Sequence, residues 1–177
     1  MTSKNQNTDI VQIILEDHKP LKQLIKIMKD SEKSVLERAA AFEDFAPLLI
    51  AHAKPEEESL YVFMKKNEEL REDGFEVDVE HVLADQMIEE IKRTDKDEDL
   101  WSARVKVLAE LVEHHIEEEE EEMFPDFKKE CDAEERAKLG EKYLKFKFQV
   151  EAELASKGGD DAPHEKDIQK QESSMTH

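Results

Sequence analysis

The sequence predicts an all-α protein in which four long helices form an up-down-up-down four-helix bundle, followed by a fifth, C-terminal helix. Four long segments place apolar residues three or four positions apart, which is the spacing of one helical face. The chain has only four glycines, and no segment alternates apolar and polar residues as a strand does. Short connections between amphipathic helices favour antiparallel packing of neighbours in a bundle.

The first half of the chain contains recognisable helix boundaries. Apolar residues at helical spacing begin shortly after Thr8, which is the candidate N-cap of the first helix. After the interrupting sequence KDSEKS, Ser34 is the candidate N-cap of the second helix. The stretch 67–78 contains Gly74 and is predicted to be the loop between the two halves.

The second half repeats this organisation. A third amphipathic stretch begins at Val77 and a fourth at Trp101, with the polar sequence RTDKDED between them. A fifth, shorter helical pattern spans 133–155. The remaining residues, 156–177, offer little that could be buried, and they are predicted to be a disordered tail.

Composition narrows the classes of function. The 177 residues include 46 acidic and 26 basic side chains, which give a formal net charge of −20 and argue against nucleic-acid or anionic membrane partners. No segment has the roughly 20 apolar residues of a transmembrane helix or the apolar core of a signal peptide. The single cysteine, Cys131, excludes an internal disulfide framework and a cysteine-rich zinc site. We therefore expect a cytoplasmic protein.

An internal repeat picks out candidate site residues. A shift of 63 residues lays His18 on His81 and His52 on His115. The domain is therefore predicted to span 8–130 as two pseudo-repeats. Their approximate ranges are 8–70 and 75–130.

The spacing around the repeated histidines predicts a metal site. His52 and Glu56 are one helical turn apart, as are His115 and Glu119, so each pair can face one centre. Histidines on apolar stripes should face the bundle interior, where imidazoles and carboxylates are costly unless cations compensate the buried charge. Imidazole with carboxylate suits iron or manganese, and zinc less distinctively. Because carboxylates can bridge two ions, a dinuclear site is expected.

The run of six glutamates after His115 leaves a choice of ligand. Glu118 and Glu119 both lie one turn from His115, but the repeat partner of Glu118 is Pro55, which has no side-chain ligand. Glu119 is therefore favoured, and Glu120 is the alternative because its repeat partner, Glu57, is also acidic.

The remaining polar and aromatic residues near the repeat receive other interpretations. Asp85 lies one turn after His81, but its repeat partner is Lys22, which argues against a ligand role. The others are interpreted as follows: Asp17 and Glu80 as solvated helix charges in preference to partners of the ligands or of a salt bridge, Tyr61 and Phe124 as core or pocket walls, and His114 as a surface or supporting residue.

Four sequence segments resemble the hemerythrin-like cation-binding domain, also called the HHE domain. These are LEDHKPLKQLI, AHAKPEEESLY, EHVLADQMIEEI and HHIEEEEEEMFP, and the resemblance covers about 8–130. It implies a four-helix bundle around a non-haem di-iron centre with oxo or hydroxo and carboxylate bridges. The implied iron ligands are His18, His52, Glu56, His81, His115 and Glu119, with Glu56 and Glu119 bridging.

The sequence departs from the family pattern at two places. Respiratory members have a fifth histidine one turn away on the third helix, where this chain has Val77 or Asp85. An altered coordination is therefore expected. Pro55 lies between His52 and Glu56 and is predicted to kink the second helix.

The resemblance implies a di-iron protein that binds dioxygen, nitric oxide or a related small oxidant, for sensing, storage or scavenging. An alternative is an enzyme of oxidative or nitrosative stress, either one that decomposes peroxide as a catalase does or one linked to nitric oxide and iron repair. The open or water-filled coordination positions of such a centre allow either outcome. A third hypothesis is a metal-free interaction module with an acidic surface.

Overall fold

The computed structural model describes residues 8–158, and the regular structure in that range is entirely helical. The elements are α1 (Ile10–Lys29), α2 (Val35–Glu58), α3 (Leu60–Met64), α4 (Arg71–Lys92), α5 (Asp99–Glu118), a π-helical segment (Glu119–Met123), α6 (Phe124–Glu130) and α7 (Ala133–Gly158). The bundle is a closed ring in which α1 packs against α2 and α5, while α4 packs against α2, α3 and α5. The predicted four-helix bundle with an additional C-terminal helix is confirmed.

The C-terminal helix α7 lies outside this ring, against α1 and α2. It extends to Gly158, so the first three residues of the predicted tail, 156–158, are helical. The rest of the predicted tail, 159–177, lies outside the described residues. None of the helices in the described range is both long enough and apolar enough to cross a bilayer.

The N-termini of the first two long helices are capped by side chains. Asp9, rather than the predicted Thr8, is the N-cap of α1, because its carboxylate accepts a hydrogen bond of 3.0 Å from the backbone N–H of Val11. Ser34 caps α2 as predicted. Its hydroxyl accepts from the N–H of Glu37, and the Glu37 carboxylate accepts from the N–H of Ser34, which completes a capping box.

The connection between the two halves is shorter than predicted. Helix α4 begins at Arg71, so most of the predicted loop 67–78 is helical, including Gly74. A Cβ atom on Gly74 would stand 3.0 Å from side-chain atoms of both Met64 and Lys65. This glycine therefore permits close packing of α4 against the end of α3, and it is not a turn residue.

Two apolar clusters lie at opposite ends of the bundle. One cluster is built around Phe45, Ile88 and Trp101, and the other around Ile14, Leu60 and Phe127. Along α1 and α4, residues of one cluster give way to residues of the other, and the change occurs at a buried histidine. The polar site is therefore enclosed between two hydrophobic layers that keep water away from it.

Candidate metal centre

The six candidate ligands converge in the middle of the bundle. They come from all four helices of the bundle and from the π-helical segment that continues α5: His18 from α1, His52 and Glu56 from α2, His81 from α4, His115 from α5 and Glu119 from the π-helical segment. All six side chains are buried, and both carboxylates are completely inaccessible. Two buried carboxylates among four imidazoles are costly to desolvate unless a cation offsets their charge.

The ligand atoms form two groups. Within each group, the atoms that could hold a metal lie within 4.8 Å of one another. The first group contains His18, His52, Glu56 and Glu119, and the second contains Glu56, His81 and His115. Glu56 belongs to both groups, which is the position that a bridging carboxylate requires.

Within residues 8–158, several inward-facing atoms of the first group make no hydrogen bond, although Nε2 of His18 and Oε2 of Glu119 lie 3.2 Å apart. They are Nε2 of His18, Nε2 of His52, Oε1 of Glu56 and Oε2 of Glu119. Buried polar atoms in native proteins are nearly always paired. Four unpaired atoms aimed at one point therefore fit a bound cation, and imidazole nitrogen with carboxylate oxygen is a donor set for iron, manganese or zinc.

An acidic side chain lies on the outward-facing side of each histidine, in direct contact with Nδ1 in three of the four, and these acids follow the internal repeat. Nδ1 of His18 lies 2.8 Å from Glu120, and Nδ1 of His81 lies 3.2 Å from Glu57. These two contacts are related by the 63-residue shift. A carboxylate acceptor keeps the proton on Nδ1, so the lone pair of Nε2 faces the centre.

His115 and His52 also have repeat-related acidic neighbours, but only His115 is in direct contact with its acid. Nδ1 of His115 lies 2.7 Å from Oε2 of Glu80. At the equivalent place, Nδ1 of His52 is 3.9 Å from Oδ2 of Asp17, and the hydroxyl of Tyr143 lies 3.2 Å from this nitrogen. The interpretation of Asp17 and Glu80 as solvated charges is therefore wrong, because both face histidines of the centre. The repeat contained this signal, since an acid precedes His18 and His81 alike.

Tyr61 is the residue whose position the sequence interpretation missed most clearly. It is buried as expected of a core residue, but its hydroxyl points into the centre and donates a 2.8 Å hydrogen bond to Oε1 of Glu119. The hydroxyl oxygen of Tyr61 also lies 3.3 Å from Nε2 of His81 and 3.5 Å from Nε2 of His115. The repeat partner of Tyr61 is Phe124, which stacks on His18 and has no hydroxyl. The two halves of the centre are therefore chemically different.

The helix that carries a histidine and a glutamate loses its regular α-helical form at the glutamate or within three residues of it in both halves. After Glu56, the N–H of Ser59 bonds to Glu56 instead of Pro55, and the Ser59 hydroxyl donates to the Pro55 carbonyl. Regular helix passes through Pro55 and ends at Glu58, so the irregularity lies later than the predicted kink. In the second half, Glu119 opens the π-helical segment. Such segments are frequent at functional sites because they change the direction of the side chains.

Burial and mutual repulsion give the two carboxylates different proton affinities. Burial, together with the charge of Glu119, raises the pKa of Glu56 well above its ordinary value. Burial also acts to raise the pKa of Glu119, but the imidazoles of His115, His18 and His52 bring it below the ordinary value. A cation between the two carboxylates would relieve the repulsion that favours protonated Glu56.

The pKa values of His52 and His115 shift in opposite directions. Burial lowers the pKa of His52 to about 4, against the opposing effect of Asp17. Burial acts in the same direction on His115, but Glu119 and Glu80 outweigh it and raise the pKa of His115 above its ordinary value.

The remaining candidates lie outside the two groups. The carboxylate of Asp85 accepts a 2.9 Å hydrogen bond from Lys54, and Glu120 also pairs with Lys22. His114 is exposed beside Glu118. Val77 is buried in the apolar cluster at one end of the bundle, so α4 contributes His81 alone to the two groups.

The match to a known family agrees with this arrangement. Residues 9–127 match the model of the hemerythrin HHE cation binding domain. The chain belongs to the hemerythrin HHE family. All six converging side chains lie inside the matched range, whereas α7 begins after it. The protein is therefore a helical cation-binding domain whose histidine and glutamate clusters are able to hold a metal.

A solved structure shares the fold of this HHE domain. It is the crystal structure of a hemerythrin HHE cation binding domain-containing protein from Mycobacterium kansasii. The two chains are 24% identical, with a TM-score of 0.67 over 84% of this chain and 91% of that one. At this identity the similarity shows the fold alone. No curated protein matches the chain.

Proposed function

We propose that this HHE domain holds two non-haem iron ions and uses them to bind dioxygen, nitric oxide or a related small oxidant, for sensing, storage or scavenging. The observation that carries the proposal is the set of unpaired inward-facing atoms on His18, His52, Glu56 and Glu119. His81 and His115 would hold the second ion together with the shared Glu56. Glu119, 3.7 Å from His115 and 3.2 Å from His18, is the candidate for the second bridge.

Bound iron would supply Lewis acidity and electrons for a small ligand, which the side chains alone lack. The protein contributes fixed ligand orientation, because Nδ1 of each histidine is held by a neighbouring acidic side chain or by the Tyr143 hydroxyl. The two apolar clusters contribute exclusion of water. Manganese is the nearest alternative ion, since it shares the preference for imidazole and carboxylate.

The size of the cavity beside the second ligand group supports a small ligand. Beside His81 and His115 is a mostly apolar cavity of about 10 Å³, lined in part by Ala53, Ala84 and Val112. This volume corresponds to roughly one water-sized sphere. Dioxygen, nitric oxide and peroxide are close to this size, whereas an organic substrate is not.

Tyr61 supports a second candidate function, an oxidative-stress enzyme that decomposes peroxide as a catalase does. Its hydroxyl is a buried O–H donor within 3.5 Å of Nε2 of both histidines in the second group. Burial and the nearby carboxylates Glu119 and Glu56 raise the pKa of Tyr61 well above its ordinary value, so the phenol keeps its proton. A retained proton among the ligand atoms could be donated to a peroxide oxygen during its decomposition.

Metal analysis tests the first part of the proposal. Protein produced with iron should carry about two irons per chain, as carboxylate-bridged pairs in helical bundles do, and should show oxo-bridge absorption. His115→Ala should abolish both, whereas His114→Ala, at the exposed neighbouring position, should preserve both. Colourless protein that takes up no iron on reconstitution would overturn the proposal and favour the metal-free interaction module.

Addition of peroxide to the iron-loaded protein separates carrier from enzyme. Sustained oxygen release that falls in Tyr61→Phe at unchanged iron content would favour the enzyme. A stable spectrum that changes reversibly with dioxygen or nitric oxide, without turnover of peroxide, would favour the binding protein.

A further inference from the structure

The hydroxyl of Tyr143 interrupts a contact that is direct in the other half of the centre. It donates a 2.6 Å hydrogen bond to Oδ2 of Asp17 and lies 3.2 Å from Nδ1 of His52. The equivalent pair formed by His115 and Glu80 is in direct contact at 2.7 Å. A phenol therefore stands between histidine and carboxylate at only one of two positions that the repeat makes equivalent.

Helix α7 holds Tyr143 firmly in this place. Arg136 pairs with Asp9 at 2.8 Å near the start of α7, and Lys147 pairs with Asp17 at 2.6 Å one turn beyond the tyrosine. Between them, Gly140 lies so close to the start of α1 that a Cβ atom would collide with the carbonyl oxygen of Thr8. Tyr143 itself is completely buried. The hydroxyl is therefore a fixed part of the surroundings of His52.

The direction of the hydrogen bonds defines what Tyr143 does to His52. Because the Tyr143 hydroxyl donates its proton to the carboxylate of Asp17, the hydroxyl oxygen is free to accept a hydrogen bond from the N–H at Nδ1 of His52. The tautomer of His52 is thereby set, with the lone pair of Nε2 facing the centre. A neutral phenol is a weaker acceptor than a carboxylate, so it increases the electron density on the ring less than Glu80 does for His115.

We propose that Tyr143 is a positioning residue that orients His52 and makes the ion held by His18 and His52 chemically distinct from the ion held by His81 and His115. This inference rests on the proposed two-metal centre. It assigns a role in that centre to α7, which lies outside the residues that match the family.

Mössbauer spectroscopy of protein loaded with ⁵⁷Fe tests the inference, because it observes the two iron positions separately. The wild-type protein should show two different quadrupole doublets of equal area. Tyr143→Phe keeps the ring but removes the hydroxyl, and it should shift one doublet while the other stays in place. Competition with a chelator should show one of the two irons bound about 10–100-fold more weakly, the usual effect of losing a partner behind a ligand histidine.

Two further variants identify the position and the cause. Glu80→Gln changes the partner of His115 and should shift the other doublet, which assigns each signal to a half of the centre. Lys138→Met removes an exposed contact with Glu134 within α7 that takes no part in holding Tyr143, and it should leave both doublets unchanged. If Tyr143→Phe does not fold, Asp17→Asn replaces it and should shift the same doublet, because it weakens the acceptor behind the hydroxyl.

The outcomes are distinguishable. Wild-type protein without iron would overturn the proposed function itself. Two irons per chain with identical spectra in wild type and Tyr143→Phe would overturn only the role of Tyr143. So would equal shifts of both doublets, or a shift in Lys138→Met as large as that in Tyr143→Phe, because the hydroxyl would then not be the cause. If Asp17→Asn is used in place of Tyr143→Phe, unchanged doublets in Asp17→Asn would also overturn the role of Tyr143.

Discussion

The two ligand groups lie in different surroundings. Beside the first group, Phe124 stacks on His18, and the Tyr143 hydroxyl stands between His52 and Asp17. Beside the second group, the Tyr61 hydroxyl lies among the ligand atoms. Duplication therefore preserved the metal-binding pattern, whereas single aromatic residues made the two positions different.

The largest effect is expected from the one carboxylate that belongs to both groups. Glu56→Gln removes the shared charge and leaves a neutral amide in a completely buried site, so both irons should be lost. Iron content per chain, measured after reconstitution and desalting, is the test. Glu121→Gln is the matched control, because Glu121 is an exposed member of the same glutamate run and should leave iron content unchanged. Retention of two irons by Glu56→Gln would contradict a bridging role.

The hydroxyl that distinguishes the second half should matter to the metal-free protein as well. Tyr61→Phe removes the 2.8 Å donor to Glu119 and leaves a buried carboxylate oxygen without a partner. The free energy of unfolding should fall by up to about 3 kcal/mol, the usual cost of such a loss. Urea unfolding of metal-free wild type and variant measures the difference. An unchanged value would mean that the hydroxyl contributes little to stability without metal.

Residue pattern was sufficient to predict the fold and the six converging side chains, because both follow from helical spacing. His52 and Glu56 share a face whatever they pack against, and the repeat selected Glu119 from six neighbours. The misreading of Gly74 has a physical reason. A glycine that separates segments and a glycine that allows two helices to approach look alike in sequence, and only packing against Met64 distinguishes them.

The surroundings of the ligands were harder to predict, because they depend on contacts between distant segments. Tyr143 is 91 residues from His52 in the chain, and it has no repeat partner that could draw attention to it. Tyr61 was correctly expected in the core, but the direction of its hydroxyl depends on the helix break at Ser59. Side-chain periodicity does not indicate such a break.

Asp17, which contacts the first half of the centre, should make metal-free stability depend on pH. Burial acts to raise the pKa of Asp17, but the nearby imidazole of His52 and hydrogen bonds from Lys147 and Tyr143 lower it from 3.8 to about 2. Since the folded pKa is below the unfolded value, the stabilisation is complete above about pH 4 and is lost as the pH falls toward 2. Asp17→Asn should be about 2 kcal/mol less stable than wild type near pH 6, and the gap should narrow below pH 4.

Unfolding of the metal-free wild type and Asp17→Asn across that range measures the gap directly. Contributions from all other groups are common to the two proteins and cancel in the difference. A gap that stayed constant with pH would mean that Asp17 acts through shape and packing, not through its charge.

The smallest expected effect concerns the helix starts, where the two halves also differ. Ser34 closes a capping box on α2, whereas Glu98 at the start of α5 makes no side-chain capping bond. Ser34→Ala should therefore lower the free energy of unfolding by about 1 kcal/mol, and Glu98→Ala should change it by much less. Neither variant should alter iron content, because both caps lie beyond the apolar cluster around Trp101 and Phe45. A loss of iron in Ser34→Ala would show that the centre depends on the stability of the entire second helix, and the difference between the halves would then extend beyond the aromatic residues beside the ligands.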